Sequence, residues 1–194
     1  MSAADAKPSG IGEQLFTPPS IPVHLMQFPT IGGLVVPFVT LQHRNGQAAL
    51  GLVDASRVES CLREYRCGVC GQVIYGRMVF LMREIDLARK RSSEPALCPP
   101  CAAYTQNACP MVGGYMAHYR REIAPFVLKQ CHDDQCLCRL WAVPDASSAR
   151  LGALAEQWYA LWTLHYFLVR DSGDRLAADF TELRVLKLRE IRRA

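Results

Sequence analysis

The chain has 194 residues, of which half are hydrophobic and about a fifth charged, with a net charge of +4. That length and apolar content suit one core-forming domain, or a small domain with extensions, and exclude a disordered or low-complexity chain. No apolar run reaches membrane-spanning length, since the longest, from Ile31 to Leu41, is interrupted by Pro37. The expectation is therefore no membrane partner.

In chain order, residues 1–20 are rich in small residues, Gly and Pro and read as a flexible arm. They show no basic region followed by an apolar stretch, so a cytoplasmic location with reduced thiols is expected. Val35 to Leu41 reads as a strand, Asn45-Gly46 as a hairpin turn, and Ala48 to Val53 as the returning strand. Asp54 can cap a helix from Ala55 to about Tyr65, with Ser56 and Glu59 offering a second capping option. Val58, Leu62 and Tyr65 recur at helical spacing with Cys61 beside them and form the face turned to the core.

Cys67-Gly-Val-Cys70-Gly71 then reads as a tight turn. Val73 to Tyr75 and Arg77 to Met82 read as a short hairpin turning at Gly76, followed by a polar, basic stretch over residues 83–97. Cys98-Pro-Pro-Cys101 opens a helix that ends near Pro110, since proline is tolerated in a helix's first turn. Tyr115 to Lys129 is of mixed character. Leu137 to Val143 reads as a strand and Ser147 to Glu156 as a helix. Trp158 to Val169 is aromatic and β-branched; Trp158, Trp162, Tyr166 and Phe167 read as core residues rather than a base-stacking platform, with Trp158, Trp162 and Tyr166 on one strand face. A turn at Asp171–Asp174 leads into a hairpin strand over Leu176–Phe180, and Leu183 to Ile191 is ambiguous between strand and helix.

Two C-x-x-C pairs carry the clearest chemistry. Zn²⁺ takes four soft ligands in a tetrahedron, and each short turn delivers two thiolates from one side, so Cys67, Cys70, Cys98 and Cys101 suit one structural zinc with no open position. Turn, hairpin, and then a helix whose start supplies the second pair is the order of a treble-clef finger. A two-hairpin zinc ribbon would instead carry the second pair on a turn between strands. The competing reading makes Cys98 and Cys101 a redox dithiol, favoured by the helix start but lacking the preceding core strand of a thioredoxin-like motif.

Cys131, His132, Cys136 and Cys138 form a second cluster, a candidate second metal site with His118 or Cys109 as further donors, or the centre of a metal- or thiol-dependent enzyme. Cys61 and Cys109 read as packing residues. No P-loop, dinucleotide fingerprint, H-E-x-x-H or G-x-S-x-G motif occurs.

The charge is uneven. Residues 61–129 carry ten basic and five acidic side chains, while the flanking parts are near balance. Arg89, Lys90, Arg91, Arg120 and Arg121 are the candidate phosphate contacts. Zn²⁺ with four thiolates adds a charge of −2 and absorbs part of that excess.

The stretch from Ile21 to Val112 resembles a family of small bacterial and phage-associated proteins. Their shared pattern runs I-P-x-x-L, a short strand hairpin, C-x-V-C-G, E-P-x-x-[HC]-x-x-C-A-x-[YF] and C-P. Here it reads Ile21-Pro22-Val-His-Leu25, Cys67-Gly-Val-Cys70-Gly71, Glu94-Pro95-Ala-Leu-Cys98-Pro-Pro-Cys101-Ala102-Ala-Tyr104 and Cys109-Pro110. The resemblance implies metal binding and a shared core fold, with no mechanism attached.

Together these readings give an α+β chain with a treble-clef-like zinc core and flanking β-hairpins and short helices. The expected parts are the arm (1–20), a zinc-binding core (21–125) and a β-rich C-terminal extension packed on it (126–194). The expected function is a non-enzymatic zinc-binding module that engages protein or nucleic acid.

Overall fold

The computed structural model describes residues 16–119, 131–136, 138, 142–144, 151–171 and 173–192. The arm up to residue 15, Arg120 and Arg121, and the first part of the helix predicted over Ser147–Glu156 lie outside these residues. The chain is α+β, with short helices among antiparallel strands.

A 3-10 turn at Val23–Leu25 precedes a two-residue ladder, β1 (Thr30–Ile31) with β2 (Leu34–Val35). The strand predicted over Val35–Leu41 is broken. Pro37 has no N–H to donate, and pairing resumes only at β3 (Thr40–Gln42), which joins β4 (Ala48–Asp54) through the Asn45-Gly46 turn. There the His43 amide donates to the Gln47 carbonyl at 2.8 Å, and Gly46 takes a φ of 84°. The far edge of β4 carries β7 (Ala142–Pro144).

Helix α1 (Ala55–Arg63) starts where predicted. The Asp54 carboxylate accepts from the Ser56 and Arg57 amides at 2.9 and 3.2 Å, satisfying two orphan donors of the first turn. The helix buries Cys61 and Leu62. It ends as Tyr65 enters the left-handed region (φ 54°) and the Arg66 amide reaches back to the Cys61 carbonyl at 2.9 Å. Tyr65 is therefore outside the helical face, and its ring lies 4.8 Å from that of Tyr166.

The hairpin predicted to turn at Gly76 does not form. Val73 bridges back to Arg66, and β5 (Met78–Arg83) pairs elsewhere. All six β5 residues are buried, so the strand needs cover on both edges. One edge pairs with β8 (Trp158–Thr163) in the order β11-β8-β5, with β11 at Lys187–Glu190. The other meets Leu97, whose amide and carbonyl bond reciprocally with Val79 at 2.8 and 2.9 Å.

The polar stretch after β5 holds a short helix, α2 (Glu84–Arg89), closed by Lys90 in the left-handed region. Asp86 caps its start by accepting from the Arg83 amide and guanidinium. Arg83 is itself buried, 5.8 Å from the Trp158 ring. Next, β6 (Arg91–Ser92) pairs with β10 (Leu176–Asp179), which pairs with β9 (Phe167–Arg170) across the Asp171–Asp174 turn. Residues 151–156, at the end of the predicted helix, are not helical. Leu154 bridges to His118 instead.

The main core gathers Leu25, Leu62, Met78 to Met82, Leu161, Tyr166 and Phe180, with the Phe80 ring edge-on to Tyr166 and Phe180. Trp158 is buried there, while Trp162 is only half-buried and Phe167, expected in the core, is exposed on β9. Helix α3 (Pro99–Ala108) packs on β5 and buries Cys101, Ala102 and Tyr104 in the same core. Among the described residues, no helix is long and apolar enough to cross a membrane.

Candidate metal centre

The two C-x-x-C pairs converge. The four sulfurs of Cys67, Cys70, Cys98 and Cys101 all lie within 4.8 Å of one another, with Cys70 and Cys98 at 4.0 Å. A tetrahedron with zinc–sulfur bonds of about 2.3 Å has sulfur–sulfur edges of roughly 3.8 Å, so the donors stand close to the separation that the ion requires. All nine cysteines are free thiols.

Each half of the group is shaped by its backbone. The first turn closes through the Gly71 amide to the Cys67 carbonyl and the Cys67 amide to the Gln72 carbonyl, both at 2.8 Å. Gly71 sits at φ 69°, and a Cβ there would meet the Phe38 ring at 2.9 Å. Gly68 is needed for a different reason: a Cβ would come within 2.9 Å of Pro95, which precedes the second pair. The turn is then tied outward, by Phe38 to the Val69 carbonyl at 2.8 Å and by Gly68 to the Ala96 carbonyl at 3.0 Å.

The second half is the start of α3. Cys98 is the N-cap, with Pro99 and Pro100 in the first turn, where a missing N–H costs nothing. The positive end of α3 therefore faces the sulfurs and favours thiolate. The Cys98 amide donates to Cys67 Sγ at 3.4 Å, and His24 Nε2 lies 3.5 Å from Cys101 Sγ. His24 carries no metal-ligand spacing in the sequence, and only the fold brings it here.

Burial and mutual hydrogen bonds split the thiols. Cys70 and Cys98 are pulled down, Cys98 to about 7, chiefly because the Cys101 thiol donates to them. Cys101 is pushed up by its bonds to Cys67, Cys70 and Cys98 and by burial. At Cys67 the bond from Cys101 lowers the pKa, but those with Cys70 and Cys98 and burial outweigh it and push it up. Four protons cannot leave this enclosed group unless a cation takes up the charge, and four thiolates are the donor set that selects a soft, tetrahedral ion. The residues present fit such an ion.

A second group comprises His43, Cys131, Cys136 and Cys138, whose donor atoms also all lie within 4.8 Å of one another. The imidazole in it belongs to His43, at the start of the β3–β4 turn, and not to His132, the neighbour of Cys131. His132 lines an open depression of about 240 Å³ beside the group, together with His43, Cys131, Arg44, Asn45, Gln47 and Asp133. Among the described residues, neither His118 nor Cys109 joins a metal-capable group. His118 pairs with Leu154, and Cys109 packs against the main core. Cys61 is fully buried, and burial pushes its thiol up to about 12.

The candidate phosphate contacts are divided. Arg91 is bound to Asp179 at 2.6 Å, whereas Arg89 and Lys90 are exposed at the end of α2. No protein-family model, no curated protein and no solved structure matches the chain.

Proposed function

We propose that the chain is a non-enzymatic zinc-binding module with a structural Cys₄ site, serving interaction with protein or nucleic acid. The observation that carries the reading is the convergence of four thiols, from two pairs whose first members are 31 residues apart in the chain, at the edge of the main core. Four protein donors leave no position for water or substrate, so the ion would hold the fold rather than react. The order of the parts supports a treble-clef-like arrangement: a cysteine turn, then β5 pinned to Leu97, then a helix whose N-terminus brings the last two thiols. The likeness of Ile21–Val112 to a cysteine-patterned bacterial and phage-associated family points the same way.

An enzyme using the 131–138 cluster is the competing reading. Such a centre needs three protein ligands and an open position, while the second group supplies four donors.

Elemental analysis of the purified chain tests the proposal, with Cys67→Ser and Cys136→Ser compared separately. The reading requires Cys67→Ser to lose one zinc and Cys136→Ser to keep the Cys₄-bound ion. A Cys67→Ser protein with full metal content would overturn it.

A further inference from the structure

Among the described residues, the buried cluster on the β3–β4 hairpin consists of Leu41, Leu52, Cys131 and Cys138, with Cys136 partly buried against them. Three of the five side chains in the cluster are thiols, and the one imidazole beside them, that of His43, is also buried.

We propose that His43, Cys131, Cys136 and Cys138 bind a second zinc ion, which staples the 131–138 segment to the β3–β4 hairpin. The four donor atoms lie within 4.8 Å of one another, and the Cys136 sulfur is 3.9 Å from His43 Nδ1. His43 is fixed by the turn it opens, through its amide to Gln47 and its carbonyl to Gly46, both at 2.8 Å. Cys136 is presented by a turn in which its amide donates to the Asp133 carbonyl at 3.0 Å and the Gln135 amide to Asp133 Oδ1 at 2.9 Å. The Arg44 amide donates to the Cys136 sulfur at 3.4 Å, as a thiolate ligand would accept it. Three soft sulfurs and one imidazole select zinc over hard cations such as magnesium or calcium. Four protein donors make the site structural. His43 and Cys136 are 93 residues apart in the chain, so the ion ties two distant regions together.

Metal content of the full-length chain, measured by native mass spectrometry, tests this proposal independently of the Cys₄ site. The wild type should hold two zinc ions. His43→Asn and Cys136→Ser should each hold one, and His43→Cys should hold two, since zinc accepts either donor. His132→Ala should also keep two. If His43→Asn fails to fold, the His43→Cys and His132→Ala counts still decide the matter. One zinc in the wild type that Cys67→Ser removes would overturn the second centre and leave the first standing. One zinc that Cys136→Ser removes and Cys67→Ser retains would do the reverse. Loss of a zinc in His132→Ala but not in His43→Asn would assign the wrong histidine and overturn the proposal.

Discussion

The Cys98 amide donates to the sulfur of Cys67 at 3.4 Å, so each half of the Cys₄ group helps to hold the other. Other amides act in the same sense: that of Cys70 on Cys67, of Gln72 on Cys70 and of Cys101 on Cys98, each favouring the thiolate. The bond from Cys98 to Cys67 links the first turn to the α3 N-terminus, while the others lie within one half. Small changes of backbone at either should be felt by the whole site.

Gly71 offers the sharpest test of that coupling. Its φ of 69° and its close approach to Phe38 make Gly71→Ala doubly unfavourable, by backbone strain and by displacement of the ring. Gly76 also has positive φ, but open space surrounds its Cα. Gly71→Ala should destabilise the chain by about 2–4 kcal/mol and Gly76→Ala by about 1–2 kcal/mol in denaturant melts. Equal costs at the two positions would mean that the Phe38 contact does not constrain the turn.

The redox reading of Cys98 and Cys101 makes an opposite prediction about reactivity. In zinc-loaded protein both thiols should resist alkylation. After chelation both should become reactive, since the metal that protects them and holds the fold is gone. Mass spectrometry after timed labelling resolves the two, and rapid labelling of Cys98 with metal in place would favour a working dithiol.

Asp179 links acid stability to the β6–β10–β9 sheet. Burial alone would raise its carboxyl, but the Thr181 amide at 2.8 Å and the Arg91 guanidinium outweigh that and hold it below its ordinary 3.8. A folded-state value below the unfolded one gives stability that is fully present above 3.8 and is lost as pH falls through the folded value. Asp179→Ala should cost about 1–3 kcal/mol at neutral pH, less than a fully buried pair would give because Arg91 is half-exposed. It should also flatten the stability curve below pH 4. A variant with the same acid-side slope as the wild type would remove Asp179 as its cause.

The nucleic-acid branch of the interaction role rests on the basic stretch 89–91. Arg91 is already paired with Asp179, so Arg89 and Lys90 are the two of these three cations left for phosphate. Replacing both with alanine should reduce the slope of log K against log salt by about 1.8 for duplex DNA, and adding Arg91→Ala should change it little further. No binding to duplex or single-stranded nucleic acid at low salt would leave a protein partner as the surviving reading.

The parts of this fold that read correctly from sequence are those fixed by neighbours along the chain. Asp54 caps α1 two and three residues away, Asn45-Gly46 turns the hairpin, and the prolines after Cys98 start α3. What did not read was set at long range. Val73–Tyr75 looks like a partner for Arg77–Met82, yet Val73 bridges back to Arg66 and the Ile74 amide donates to the Tyr65 carbonyl at 2.8 Å, while β5 takes its partners from Leu97 and from Trp158–Thr163. The α2 helix did leave a local signal, Glu84 and Asp86 in its first turn, which the basic residues after it obscure. In the second cluster, adjacency favours His132. Residue spacing gives no hint of His43, since only the pairing of β3 with β4 points a turn histidine at thiols far along the chain.

The central claim is that a metal held by Cys67, Cys70, Cys98 and Cys101 maintains the fold. The most direct measurement is thermal unfolding of the full chain by circular dichroism, before and after metal removal by a chelator and again after zinc is restored. Binding energies of roughly 10–16 kcal/mol for structural zinc match or exceed the whole stability of a typical domain, about 5–15 kcal/mol. The account predicts that the stripped chain loses its cooperative transition and regains it when zinc is restored, and that Cys101→Ser behaves like the stripped wild type. An unchanged melting curve after complete metal removal would contradict it.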